Sequence, residues 1–177
     1  IYINIEAKGS HPADQSKSLK RLGFKTCIPF DSMAYVNLED EIKIGLNPNQ
    51  IYTPKHFKDT CLSLRSRINN IGWPMLKEVR GKFIFILEGS NQHLYKYFND
   101  PIMFYYGDIN DDNTVFLLRN DASAGRDEIY DLASDFIIRT RSDSGTRESR
   151  DNNYRTWDSA LKSNAQIIST DYYKADS

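Results

Sequence analysis

In residues 1–8, apolar Ile1, Ile3 and Ile5 alternate with Tyr2, Asn4, Glu6 and Lys8. A period of two predicts a strand over residues 1–7. In a parallel barrel the Ile set of such a strand lies under helices and the polar set faces the barrel mouth. Residues 82–87 (KFIFIL) are nearly all apolar and β-forming, as in a strand covered on both faces. Residues 102–106 (IMFYY), 136–143 (FIIRTRSD) and 165–170 (AQIIST) predict further strands, and residues 115–118 a short extra one. Between them the apolar spacing changes to three and four. Asn37, with Asp40 three residues on, reads as the cap of a helix carrying Val36, Leu38, Ile42 and Leu46 on one face. Thr53-Pro54 opens another, with Phe57, Cys61, Leu64 and Ile68 inward and Gly72 as its stop. Residues 125–133 predict a helix with Ile129 and Leu132 inward. Residues 151–163 predict a last one, with Tyr154, Trp157 and Leu161 at core spacing. Strands separated by helix-length crossovers mean a parallel sheet, expected to hold the five long strands as neighbours in chain order.

The length suits one domain over residues 1–177. A formal net charge of −1, with both signs interspersed, argues against nucleic acid, whose phosphates call for a basic face. The longest apolar runs fall far short of a membrane span. Cys27 and Cys61 either form one disulfide or are two buried thiols, and neither has zinc-site spacing. His11, His56 and His93 are scattered and read as surface or loop residues. The Asn/Asp run at residues 110–113 lacks the glycine and terminal Glu of an EF-hand loop and reads as a solvated turn.

Ionisable side chains gather where the predicted strands end: Glu6 and Lys8, Glu88, Asp108, Arg139, Arg141 and Asp143, and Asp171. The carboxyl ends of parallel barrel strands carry the active site. Two arginines and a lysine suit an anionic, phosphate-bearing substrate, because guanidinium presents a planar fork and ammonium a compact charge. Glu6 among them is either a counter-ion or a ligand for a hard divalent cation. There is no Gly-rich phosphate loop ending in G-K-[ST].

The runs INIEAK (residues 3–8), NLEDEI (37–42), TPKHF (53–57), GWPMLKEVRGKFIFIL (72–87), IIRTRSD (137–143) and AQIISTDYY (165–173) occur in this order. Together they resemble the calcium-dependent phosphoinositide-specific phospholipase C family over essentially the whole chain. The resemblance implies the C-terminal part of a TIM-type (β/α)8 barrel that cleaves phosphatidylinositol to diacylglycerol and inositol phosphate. It implies Ca2+ as cofactor, a transient membrane surface as partner, and secretion. Glu6 matches the metal-binding carboxylate of the E-x-K strand, and Lys8 the adjacent catalytic position facing phosphate or inositol. Arg141 is expected at the rim as a second catalytic cation, and Arg139 deeper, paired with a carboxylate such as Glu88 or Asp171. Arg139, Asp143, Glu88, Asp171 and Tyr173 are expected to bind substrate.

Members of this family also carry catalytic histidines and acidic metal ligands on earlier strands. Their absence here creates the expectation that the first strands lie upstream of Ile1. Two alternatives stay open: another barrel phosphodiesterase of glycerophosphodiesterase or sphingomyelinase-D type, and a non-catalytic barrel that binds inositol phosphates or lipid.

Overall fold

A computed structural model describes residues 1–9, 16–24, 28, 30–89 and 91–171. The chain divides into two compact units, Ile1–Tyr106 and Gly107–Ser177.

In the first unit β1 (Tyr2–Ala7), β2 (Ile84–Gly89) and β3 (Phe104–Tyr105) form a parallel sheet in that order. Their register puts Ile3, Ile5 and Ala7 beside Phe85, Leu87 and Gly89 on one face. That face packs with Tyr35, Leu38, Ile42, Leu46 and Tyr95 into a core, so the Ile set of β1 lies under helical residues as its period predicts. The other face carries Tyr2, Asn4 and Glu6, level with Ile84, Ile86 and Glu88.

Among the described residues the connection from β1 to β2 holds five α-helices: α1 (Lys17–Arg21), α2 (Ser32–Gly45), α3 (Pro54–Lys58), α4 (Leu64–Ile71) and α5 (Leu76–Val79). The predicted start of α2 at Asn37 is corrected. Asp31 caps it instead, its Oδ1 accepting the Ala34 N–H at 2.8 Å. The earlier turn brings Tyr35 inward, leaving Val36 40% exposed. The helix predicted from Thr53 to Gly72 is two. Thr53 caps the first as expected, but Asp59 turns to φ +54 and ends it, and Ser63 then caps α4 through a reciprocal pairing with Ser66. Gly72, at φ +91, stops α4 as read from the sequence.

A buried carboxylate ties α2 to the rest of the core. Glu39 accepts hydrogen bonds from the Tyr95 hydroxyl and from the Ile102 N–H at 3.0 Å, and pairs with Lys43 at 2.9 Å. Tyr95 lies in a 3-10 turn (Gln92–Tyr97) after β2, and its hydroxyl accepts the Met103 N–H at 2.9 Å. Burial first, and then the Glu39 carboxylate, push the Tyr95 phenol far above its usual range, so it stays a neutral donor.

The second unit repeats the plan. Parallel strands β4 (Phe116–Leu118), β5 (Ile137–Arg141) and β6 (Ile167–Ser169) form a sheet in that order. Five long strands in one sheet are thus corrected, among the described residues, to six strands in two three-stranded sheets, the short apolar run at residues 115–118 being a full member of the second. Between the strands run α6 (Ala122–Leu132), α7 (Arg147–Arg150) and α8 (Arg155–Lys162). Leu117, Ile129, Phe136, Ile138 and Ala160 form its core. The face predicted to bury α8 is also corrected: Ala160 is buried, whereas Tyr154, Trp157 and Leu161 are 62%, 42% and 55% exposed. The small Ala160 side chain lets α8 lie close to α6 and β5, a contact that the aromatic spacing did not announce. The run at residues 110–113 is a turn, Asp108 and Asp111 accepting N–H groups of Asn110 and Asn113. Among the described residues no helix is long and apolar enough to cross a membrane.

Candidate active-site residues at the strand ends

The polar stripe of β1 meets the end of β2 in register. Glu6 and Glu88 are direct partners, so their carboxylates leave the same face side by side. Two adjacent like charges repel, and each has a neighbour that answers the cost. Lys8 Nζ lies 3.4 Å from Glu6 Oε2, and Asn4 Nδ2 donates to Glu88 Oε2 at 2.9 Å. The Lys8 and Glu6 side chains are 73% and 49% exposed, so their attraction is screened and contributes little to folding. Lys8 is therefore a cation in reach of solvent, able to meet an incoming anion. On the same face the hydroxyls of Tyr2 and Tyr106 hydrogen-bond to each other.

The strand ends are held this close by Gly89. It sits at φ +130, and a β-carbon there would lie 2.2 Å from the Ala7 carbonyl oxygen. Only glycine admits both that dihedral and that approach. Its N–H donates to Gln92 Oε1 at 3.0 Å, while Gln92 Nε2 donates to the Tyr106 carbonyl at 2.6 Å, bracing β2 against the end of β3.

In the second unit Arg139 and Arg141 share a face of β5, as their spacing requires, and Asp143 follows two residues beyond the strand's end. Both arginines are half-buried and Asp143 is buried. The Asp143 carboxylate is saturated: it accepts from Thr170 Oγ1 at 2.6 Å, from the Asp171 N–H at 2.8 Å and from Ser142 Oγ at 2.7 Å. Burial alone would raise its pKa. The three hydrogen bonds, with the charge of Arg141, outweigh that and hold the group below the usual carboxylate range. Asp171 in turn accepts the Gly145 N–H at 2.7 Å. These two carboxylates tie the loop after β5 to the end of β6.

Beside them Ser142, Asp143, Glu148, Asn153, Tyr154, Trp157 and Thr170 line a cavity of about 190 Å3. Its lining has two carboxylates and neither arginine, so it is poorly suited to a phosphate.

The structure thus brings Glu6, Lys8 and Glu88 together in the first unit. In the second it places Arg139 and Arg141 on β5 and Asp143 two residues past its end, with Asp171 next to Asp143. Tyr173 lies outside the described residues, as do His11 and Cys27. Cys61 is half-buried, and His56 and His93 are exposed, as read from the sequence. Sequence reasoning passed over Asn4, Gln92 and the Ser142–Thr170 clamp. Asn4 had a signal, since it belongs to the polar stripe of β1. The other three depend on which loops meet, and the local sequence does not encode that.

Calcium takes six to eight hard oxygens. Glu6 and Glu88 offer carboxylate oxygens, and Asn4 Oδ1 is a buried acceptor with no hydrogen-bond partner. An orphaned amide oxygen beside two carboxylates fits a hard cation in kind and supplies part of its coordination. Among the described residues no group of three or more His, Cys, Asp or Glu side chains is placed to hold a metal.

Comparison with solved structures finds calcium-dependent phosphoinositol-specific phospholipases C of Pseudomonas sp., a Gram-negative bacterium. A form described as a myoinositol complex superposes with TM-score 0.55 at 14% identity, covering 96% of this chain and 57% of that one. A second crystal form gives TM-score 0.52 at 15% identity with the same coverage. At such identity the likeness speaks for the fold, and the chain spans just over half the length of these proteins. No curated protein matches significantly. The family model for calcium-dependent phosphoinositide phospholipase C matches residues 1–177. The chain therefore belongs to the calcium-dependent phosphoinositide phospholipase C family.

Proposed function

We propose that this chain is the C-terminal part of a (β/α)8-barrel catalytic domain that cleaves phosphatidylinositol to diacylglycerol and an inositol phosphate with the help of calcium. The observation that carries the reading is the strand-end pair Glu6 and Glu88, in register beside Lys8 and the orphaned Asn4 oxygen. The barrel reading draws support from the all-parallel pairing in both sheets, with the apolar face of β1 and Ile138 of β5 in the cores.

In this reading Glu6, Glu88 and Asn4 would hold a calcium ion, which when bound would supply positive charge to the phosphoryl oxygens and the attacking inositol hydroxyl. Lys8 meets a nonbridging phosphate oxygen and stabilises the charge that grows there on attack. Arg141 offers its fork to phosphate or inositol hydroxyls. Arg139 supports it from deeper on the same strand. Asp143 and Asp171 shape the substrate side by fixing the loop after β5, and Tyr173 stands in the same group by resemblance. Protons at the inositol hydroxyl and the leaving oxygen are moved by histidines on strands preceding this chain. The enzyme acts at a membrane surface outside the cell, which the fraction of activity found in culture medium tests.

The experiment is Glu6→Gln in the intact protein. It keeps size and hydrogen bonding but removes one ligand charge, so the calcium midpoint for phosphatidylinositol cleavage should rise at least about tenfold with the melting temperature unchanged. An unaltered midpoint together with unaltered turnover at saturating calcium would make Glu6 a counter-ion of Lys8 and nothing more.

A further inference from the structure

Tyr154 and Trp157 stand three residues apart where the chain enters α8, and the core of the second unit uses neither. Both instead border the cavity of about 190 Å3 beside the ends of β5 and β6. That volume is the liquid share of about six waters, enough for a small organic molecule. Two carboxylates, Asp143 and Glu148, line the same space.

Asp143 contributes charge without an open acceptor. It is buried, it stays ionised, and Thr170 Oγ1, Ser142 Oγ and the Asp171 N–H occupy its oxygens. Glu148 is half-buried, and its Oε2 accepts the Ser144 N–H at 3.3 Å. The cations of the neighbouring elements do not cancel these charges inside the cavity. None of Arg141, Arg147, Arg150 and Arg155 lines it. The charge of Arg141 is the weakest of the influences on Asp143. Arg147 Nε lies 3.9 Å from Asp151, and Arg150 Nε donates to the Thr146 carbonyl at 3.0 Å. The positive end of α8 has its own counter-charge in Asp158, in the first turn.

We propose that this cavity binds an alkylated ammonium ion, with its methyl groups against Tyr154 and Trp157 and its charge held by Glu148 and Asp143. Aromatic faces attract a cation through the negative centre of the ring, and they suit one whose charge is wrapped in methyl groups. Such an ion has no N–H to satisfy, which matches the occupied oxygens of Asp143. A primary amine or guanidinium would need acceptors there. The phosphate of a choline lipid would meet two carboxylates and no cation, so the chemistry favours a free alkylammonium over a lipid headgroup. The site stands apart from the lipid-cleaving reading, since it uses neither the Glu6–Glu88 pair nor the arginines of β5.

Titration calorimetry on the intact protein tests this with tetramethylammonium chloride at constant ionic strength. Its neutral counterpart of similar size, tert-butanol, is the control for charge. Tetramethylammonium should bind saturably, and tert-butanol at least about tenfold more weakly. Trp157→Leu should weaken tetramethylammonium at least about fivefold, and Glu148→Gln should weaken it several-fold. Both variants should keep the wild-type melting temperature and wild-type turnover of phosphatidylinositol. Phosphocholine should bind more weakly than tetramethylammonium. The absence of saturable binding, or equal binding of tert-butanol, overturns the proposal. Wild-type affinity in Glu148→Gln overturns it even if Trp157→Leu proves unstable. Phosphocholine binding tighter than tetramethylammonium would assign the cavity to a lipid headgroup and overturn the free ligand.

Discussion

Gly89→Ala separates backbone strain from steric collision, because a second glycine provides the control. Gly89 has φ +130 and Gly72 has φ +91, so alanine at either site is held in a region disfavoured for L-residues. They differ in surroundings. Nothing lies within 4 Å of a β-carbon built on Gly72, whereas one on Gly89 meets the Ala7 oxygen, carbon and nitrogen at 2.2, 2.8 and 2.9 Å. These are backbone atoms of the paired strand, so relief requires β1 and β2 to part. Dihedral strain costs about 1–3 kcal/mol, and forcing an extra carbon into a packed site costs about 1–3 kcal/mol more. Gly89→Ala should thus destabilise by about 2–6 kcal/mol and Gly72→Ala, which carries the dihedral strain alone, by about 1–3 kcal/mol. Urea unfolding followed by circular dichroism, with linear extrapolation, reads both. Since β1 and β2 must part, Gly89→Ala should also separate Glu6 from Glu88 and raise the calcium midpoint, which Gly72→Ala should leave alone. Equal destabilisation by the two variants would refute the close approach of the strand ends.

Two buried carboxylates give further tests. Asp143→Asn should cost about 2 kcal/mol at neutral pH, because it weakens three hydrogen bonds to a charged acceptor. As the folded pKa is depressed, that stability is fully present above the unfolded pKa of about 4 and is lost as pH falls through the folded value. The gap between wild type and variant, measured by urea titration across acidic pH, should therefore close toward low pH. A gap independent of pH would show that Asp143 is not an ionised acceptor. Glu39→Ala strands the Tyr95 hydroxyl and the Ile102 N–H and should cost about 3 kcal/mol, while Glu39→Gln keeps an acceptor and should cost about 1 kcal/mol; thermal melts rank the pair.

Strand positions were legible because alternation and β-branched runs are local. β1, β2 and β5 fall where residues 1–7, 82–87 and 136–143 predict them. Helix ends were less so. Asp31 competed with Asn37 as the cap of α2, and the winner was decided by burial of Tyr35, a tertiary contact. Asp59 broke a continuous apolar stripe because the Ser63–Ser66 pairing offered α4 its own start. The exposed aromatics of α8 are the plainest limit: Tyr154 and Trp157 keep core spacing, yet the helix buries its smallest side chain, Ala160. For the site, polar residues two apart on β1 announced Glu6 and Lys8. Nothing local announced that Glu88 would stand in register with Glu6, since that is set by strand pairing. Asp143 continues the two-residue spacing of the arginines, yet it lies past the end of β5 and three hydrogen bonds occupy it in bracing the loop that follows.

The central claim is that the intact protein uses strand-end oxygens and calcium to cleave a phosphoinositide. Phosphorus NMR of its products from phosphatidylinositol, with and without a calcium chelator, tests this most directly. The account predicts an inositol phosphate resonance that appears with calcium and is abolished by chelation, with phosphatidylcholine left intact in the same mixture. Cleavage that is indifferent to chelation, or that consumes phosphatidylcholine equally, would contradict it.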